Sequence, residues 1–247
     1  MISFKKKFYF WKLTDVWFRF EKGIHNLFSL RKYSFVQQHE QIKNSFCFKE
    51  ISHTLVTDLK QDSEIIISAI SKSVLKESKK AEAEGITCIF NNDIEKFIEF
   101  YNKFAGNKQL YQFNKKFITE YKDFNTITYA MKDGEILAAH FYLVSRRFKL
   151  VRSFLSGSRM ADEKFDKRTL GMENKFLKIE AIHYFKKCNF ETFDYGGIVL
   201  NTDNQSLKGI TEYKMSFGGK TITNISYLSP IYFILLKIFS FLDRRYK

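Results

Sequence analysis

Residues 193–197 read Phe-Asp-Tyr-Gly-Gly, and residues 213–219 read Tyr-Lys-Met-Ser-Phe-Gly-Gly. Each piece sets a charged side chain, Asp194 or Lys214, a few positions from a glycine pair. Glycine permits backbone conformations and close approaches closed to other residues. An acid and a base therefore stand beside backbone that a ligand can approach. Residues 172–187 read as an amphipathic helix and Glu191–Tyr195 as a strand. A carboxylate at the C-terminal end of a strand sits where α/β folds open their crevice. Asp194 can orient or deprotonate an amine there, or hold a turn, since Asp near Gly is good turn chemistry. Lys214 can neutralise a phosphate or a developing oxyanion, or be an ordinary surface lysine.

Working outward, Thr54–Leu59 reads as a short strand. A single helix is expected from Asp62 to Glu84, with Ile66, Ile67, Ile70, Val74 and Ala81 at helical spacing and Gly85 as the stop. Ile86–Phe90 reads as a strand, and Asn92 or Asp93 caps the next helix. A further short helix is expected at Lys115–Tyr121. Asp133-Gly134 is a two-residue hairpin signal between strands at 127–131 and 136–144. A strand at 148–155, a polar loop at 156–171, a loop carrying the second glycine pair and a strand at 221–228 complete the order. Pro230 opens a last helix. As a helix, residues 230–246 would span about 25 Å, short of the ~30 Å hydrocarbon core, so the segment reads as interfacial or docked. The expected division is a basic-aromatic segment over 1–53, a domain over 54–228 and an apolar, basic helix over 229–247. The fold class is α/β (α+β) with a mixed sheet.

The net charge of +14 suits a polyanionic partner or a solvated lysine-rich surface. Residues 1–32 hold eight Lys/Arg against two acids, interleaved with Phe8, Phe10, Trp11, Trp17, Phe18 and Phe20. That mixture suits an anionic interface or a hydrophobic docking segment within the fold. Cys47, Cys88 and Cys188 are far apart and read as buried free thiols in a reducing cytoplasm. No metal-ligand spacing, nucleotide-binding glycine loop or nucleophile elbow is present, and no signal peptide is read. His140, mid-strand, is a satisfied sheet histidine or a proton-transfer group.

Four segments carry a resemblance to the Fem-type transferases and their relatives in the GNAT-like acyltransferase superfamily. Lys72–Ile86, with Lys76, Lys79, Lys80 and Gly85, resembles the family's basic helix. Asp133–Tyr142 is similar to its central hairpin. Asn174–Ile182 followed by Phe193–Ile198 resembles its helix and F-D-x-G-G-I strand, and Tyr213–Gly219 its F-K-x-x-F-G-G. The resemblance implies a mixed, mostly antiparallel, twisted sheet with helices on both faces. It implies an amine attacking an acyl carbonyl, with acyl-CoA or aminoacyl-tRNA as donor and no metal. It makes Lys214 the carbonyl- or phosphate-facing cation, Asp194 the group orienting the amine or the loop, and His140 a further base candidate. Tyr195, Gly196, Gly197, Tyr213, Gly218 and Gly219 would then adjoin substrate or donor, and Lys76, Lys79 and Lys80 would meet an anionic one.

Family members carry two such domains and often a coiled-coil arm, whereas this sequence reads as one complete domain plus a reduced N-terminal part, with no arm seen and without the pyrophosphate loop Q/R-x-x-G-x-G/A. Donor and acceptor thus stay open. Two readings follow. One is an N-acyl- or aminoacyltransferase on an amine of a bacterial envelope precursor, a surface-polysaccharide amino sugar or a peptidoglycan peptide. It would be cytoplasmic or peripheral at the inner membrane face, with a small-molecule, lipid- or nucleotide-linked acceptor and tRNA as a further partner. The other is an inactive protein of this fold that binds an anionic membrane surface.

Overall fold

A computed structural model describes residues 2–8, 11–18, 20–21, 23–37, 46–91, 93–113, 121–159 and 169–243. The chain divides into two compact units, residues 1–54 with 221–247, and residues 55–220.

The first unit contains β1 (Ile2–Phe8), β2 (Trp11–Trp17), β3 (Arg31–Gln37) and β10 (Lys220–Leu228), in that spatial order. β2 and β3 are parallel, and the other two pairs are antiparallel. Of the N-terminal aromatics, Trp17 is buried, and Phe20 packs on Tyr33 and Tyr227 at ring distances of 4.7 and 4.6 Å, as in a docking segment within the fold. The last helix, α6 (Pro230–Asp243), follows Ser229, whose hydroxyl accepts from Tyr232 N at 3.4 Å. Tyr232 of α6 is buried with Leu13 and Leu228, while Ile234 and Ile238 are exposed.

The second unit is built on β4 (Phe48–Asp58, which starts in the first unit), β5 (Thr87–Asn91), β6 (Asn125–Lys132), β7 (Glu135–Ser145), β8 (Leu150–Ser158) and β9 (Thr192–Ile198). The order β9-β8-β7-β6-β5 is antiparallel throughout except β8 with β9. The sheet is thus mixed and mostly antiparallel. Asp133 and Gly134 both adopt positive φ, 52° and 79°, as a tight hairpin turn requires. Strand alternation sends His140 and Tyr142 of β7 toward α4 (Thr169–Lys187) and Phe141 toward α3 (Ile94–Asn107). Phe141 lies 5.3 Å from the Phe97 ring, and Tyr142 lies 5.4 Å from the Phe185 ring. Helices therefore cover both faces.

Three differences from the sequence reading have physical causes. The helix expected over 62–84 is two, α1 (Ser63–Ser68) and α2 (Lys72–Ala83). Ser71 takes an extended conformation and its hydroxyl accepts from Val74 N at 3.4 Å, so it caps a new helix. The loop expected before the second glycine pair contains α5 (Gln205–Met215). Its start is set by Asn204, whose Oδ1 accepts from Ser206 N and Leu207 N at 3.0 and 3.2 Å. Cys188 is exposed and Cys47 and Cys88 are only half-buried, where three buried thiols were expected. Of the helix expected at 115–121, all but Tyr121 lies outside the described residues, as does the basic tail 244–247.

Candidate active site

β8 and β9 pair from Leu150–Thr192 to Arg152–Asp194. Immediately beyond, Ser153 and Tyr195 line a cavity of about 320 Å³. A crevice past the C-terminal ends of parallel strands is where open α/β sheets accept ligands. α4 closes one side with Gly171, Asn174, Lys175 and Lys178, which share one helix face by their spacing of three and four. α5 supplies Tyr213 and Lys214, β7 supplies His140, and Phe217 completes the wall. A second cavity of about 590 Å³ shares Phe104 and Ser158 with the first.

The structure brings His140, Tyr195, Tyr213 and Lys214 to this cavity. Asp194 is buried beside it, ion-paired through Oδ2 with Nη1 of Arg152. Its Oδ1 accepts from Gly196 N at 2.7 Å. These contacts fit the loop-holding role of Asp194 rather than an amine-facing one. Gly196 has φ of 85°, and a Cβ there would meet Ser153 O at 3.2 Å and Lys214 Nζ at 3.4 Å. Its bareness lets strand and lysine close in. Gly218 and Gly219 serve packing: a Cβ on either would stand 2.6 Å from a carbonyl oxygen, of Ala69 and Val56 respectively. Lys76 and Lys79 are exposed on α2, and Lys80 pairs with Glu84 at 3.3 Å. None of the three is among the residues lining the cavity.

Lys214 Nζ donates to Gly197 O at 2.6 Å. Burial, then Arg152, pushes its pKa down, and Asp194 opposes both. Lys178 escaped the sequence reading. It is buried, its Nζ donates to Ser153 Oγ at 2.9 Å, and the ammonium position lies 5.0 Å from the Tyr142 ring centre. Burial, followed by Lys214, brings its pKa down to about 7. A lysine inside the run Phe176-Leu177-Lys178-Ile179 was the available signal, because a helical reading places it on a buried side.

His140 is fully buried. Asn174 Nδ2 donates to Ser158 Oγ and Glu173 Oε1 at 2.5 and 2.9 Å, which turns Asn174 Oδ1 toward His140 Nε2 at 2.8 Å. That network places the imidazole proton on Nε2. Nδ1 then accepts from the Tyr142 hydroxyl at 3.0 Å. Burial, then Lys178, holds His140 well below its usual pKa. With both nitrogens engaged, it fits the satisfied sheet histidine. Among the described residues no cluster of His, Cys, Asp and Glu could hold a metal ion.

This splayed mixed sheet, covered on both faces, is the fold of the Fem-type and GNAT-like transferases. The chain superposes on FemX with a TM-score of 0.69 at 10% identity, covering 96% of this chain and 85% of that one. It also superposes on L-PGS from Bacillus licheniformis, with a TM-score of 0.55 at 13% identity over 81% of this chain and 68% of that one. A C-terminal DUF2156 domain from Agrobacterium fabrum gives 0.56 at 11% identity, over 84% and 70%. No family model and no curated protein sequence matches the chain.

Proposed function

We propose that this protein is an N-acyl- or aminoacyltransferase, in which an amine of an envelope precursor attacks the carbonyl of an acyl-CoA or aminoacyl-tRNA. The observation that carries this reading is a pair of lysines, Lys178 and Lys214, lining one cavity at the β8–β9 splay. Acyl transfer needs the two reactants held together and the developing oxyanion stabilised. Lys214, bonded to Gly197 O at 2.6 Å and with Asp194 favouring its charged form against burial and Arg152, supplies the second. The adjoining 590 Å³ cavity gives room for the remainder of a large donor or acceptor. Contact with an anionic membrane surface through the first unit is part of this reading, supported by exposed Ile234 and Ile238 on α6. None of the described helices is long and apolar enough to cross a membrane.

The test is a mass-spectrometric screen of acyl-CoA pools against charged tRNA for a retained or transferred group. Lys214→Ala is expected to lower transfer about 100- to 1000-fold, as loss of an oxyanion-stabilising group does, with an unchanged circular dichroism spectrum. Undiminished transfer in that variant, or no donor retained from either pool, would reject the proposal.

A further inference from the structure

We infer that Lys178 is the base of this site: its neutral amine takes a proton from the attacking amine as that nitrogen bonds to the carbonyl carbon, and returns it to the leaving oxygen or sulfur. The inference rests on the transferase reading above.

Geometry is the first support. Lys178 lines the cavity, and its Nζ has a hydroxyl, Ser153 Oγ, as hydrogen-bond partner at 2.9 Å and the Tyr142 and Phe193 rings at 5.0 and 5.8 Å. Burial strips water from an ammonium at this position, and this outweighs the cation–π attraction of the two rings. The ion pairs described at the site lie elsewhere: Arg152 takes Asp194, and Lys175 takes Glu77 at 2.5 Å. Lys214 lines the same cavity and adds like charge. A lysine desolvated beside a second cation is an activated one.

Elimination is the second support. The other groups at the site are each committed. From β7, His140 uses both nitrogens and Tyr142 donates to it. From β8 and β9, Arg152 and Asp194 pair, and Tyr195 bonds Thr57 at 3.0 Å. From α5, Tyr213 is held protonated by burial, and Lys214 is the cation. On α4 itself the exception is Glu173, whose Oε1 accepts from Asn174 at 2.9 Å and whose carboxyl is pushed up to about 7 by burial; it is not among the residues lining the cavity, as Lys178 is. Burial lowers the pKa of both lysines; Asp194 opposes that at Lys214, while Lys214 adds to it at Lys178. The more deeply buried lysine, with no carboxylate opposing the shift, is the better base of the two.

The step balances. As the C–N bond forms, the substrate nitrogen loses a proton to Lys178 Nζ. As the tetrahedral intermediate collapses and the C–O or C–S bond breaks, that proton passes to the departing oxygen or sulfur. Lys178 ends neutral, and no oxidant or further reactant is needed.

The experiment is trace labelling of the intact protein with isotopic acetic anhydride from pH 5 to 11, mapped by mass spectrometry. Lys178 is expected to label with a midpoint near pH 7, well below the ordinary lysine value of about 10.4. In Lys214→Ala the Lys178 midpoint is expected to rise, and in Lys214→Arg to stay near the parent value. A Lys178 midpoint above pH 9, no labelling at any pH, or a midpoint indifferent to Lys214→Ala would each overturn the assignment. These outcomes are independent of the donor screen, so a neutral Lys178 without any transferable donor would reject the transferase reading alone.

Discussion

The two units hold their positive charge in opposite ways. Residues 1–54 and 221–247 carry fourteen Lys/Arg against five Asp/Glu, while residues 55–220 carry twenty-seven against twenty-two. The first unit therefore owns most of the net charge in a third of the chain. Its described cations lie at least partly in solvent, such as Arg31 with Glu21 at 2.8 Å and Lys32 with Glu50 at 3.0 Å. Such pairs contribute about 0–1 kcal/mol. The second unit is nearly balanced, yet Arg152 and Lys178 are buried and Lys214 is half-buried around one cavity. Net charge reports on what a surface attracts. A few desolvated charges decide what a site can do.

The sharpest way to break this contrast is the Arg152–Asp194 pair. Arg152→Met should destabilise the protein by about 3–5 kcal/mol, because it leaves Asp194 buried without its cation. Arg152→Met with Asp194→Asn should recover much of that loss. Urea titration of the parent and both variants reads it. A single variant within 0.5 kcal/mol of the parent would mean the pair is no more consequential than the exposed pairs of the first unit.

Lys178 sharpens the comparison in a second way, through pH. Its folded pKa of about 7 lies below the ordinary lysine value. Between pH ~7 and ~10.4 the unfolded chain therefore binds a proton that the folded chain does not. Stability from this group accordingly rises with pH across that window, on the order of 1 kcal/mol per unit. Lys178→Met should remove that slope and raise stability at pH 7 while abolishing transfer. A stability–pH profile unchanged by the substitution would place Lys178 among ordinary solvated lysines.

The contrast also explains what the sequence disclosed. Asp133-Gly134, the cap at Asp93 and the strand carrying Asp194 are local signals, and each appears where expected. The break at Ser71 is tertiary in origin: Ser71 N bonds Ser216 O at 2.8 Å, and Ala69 lies against Gly218. Nothing in residues 62–84 alone displays that partner. At the site, Lys214 and Tyr213 were legible because a glycine pair flags them, although α5 around them was not. Lys178 was hidden by its charge, since a lysine is ordinarily assigned to solvent. Asp194 was legible as important, but its partner Arg152 lies forty-two residues away on another strand, so its role was not.

The smallest expected effect on stability concerns the first unit. Ile234 and Ile238 are 54% and 48% exposed, one helical turn apart on α6, with Lys237 beside them. Surface substitutions away from caps and cores change stability by about 0.5 kcal/mol or less, so Ile234→Ser with Ile238→Ser should leave the urea midpoint almost unmoved. Their value lies in binding. An interfacial helix gains from buried apolar side chains and from nearby cations, the latter at about 1 kcal/mol per Lys or Arg at an anionic surface. The double variant should weaken association with phosphatidylglycerol vesicles roughly tenfold or more, from ~0.8 kcal/mol per buried methylene. The parent's binding should fall as salt is raised from 50 to 200 mM, by screening. Equal vesicle binding by parent and variant would remove α6 from the interface. Salt-independent binding would instead assign it to apolar contact alone, and the charge excess of the first unit would then be a solvated surface.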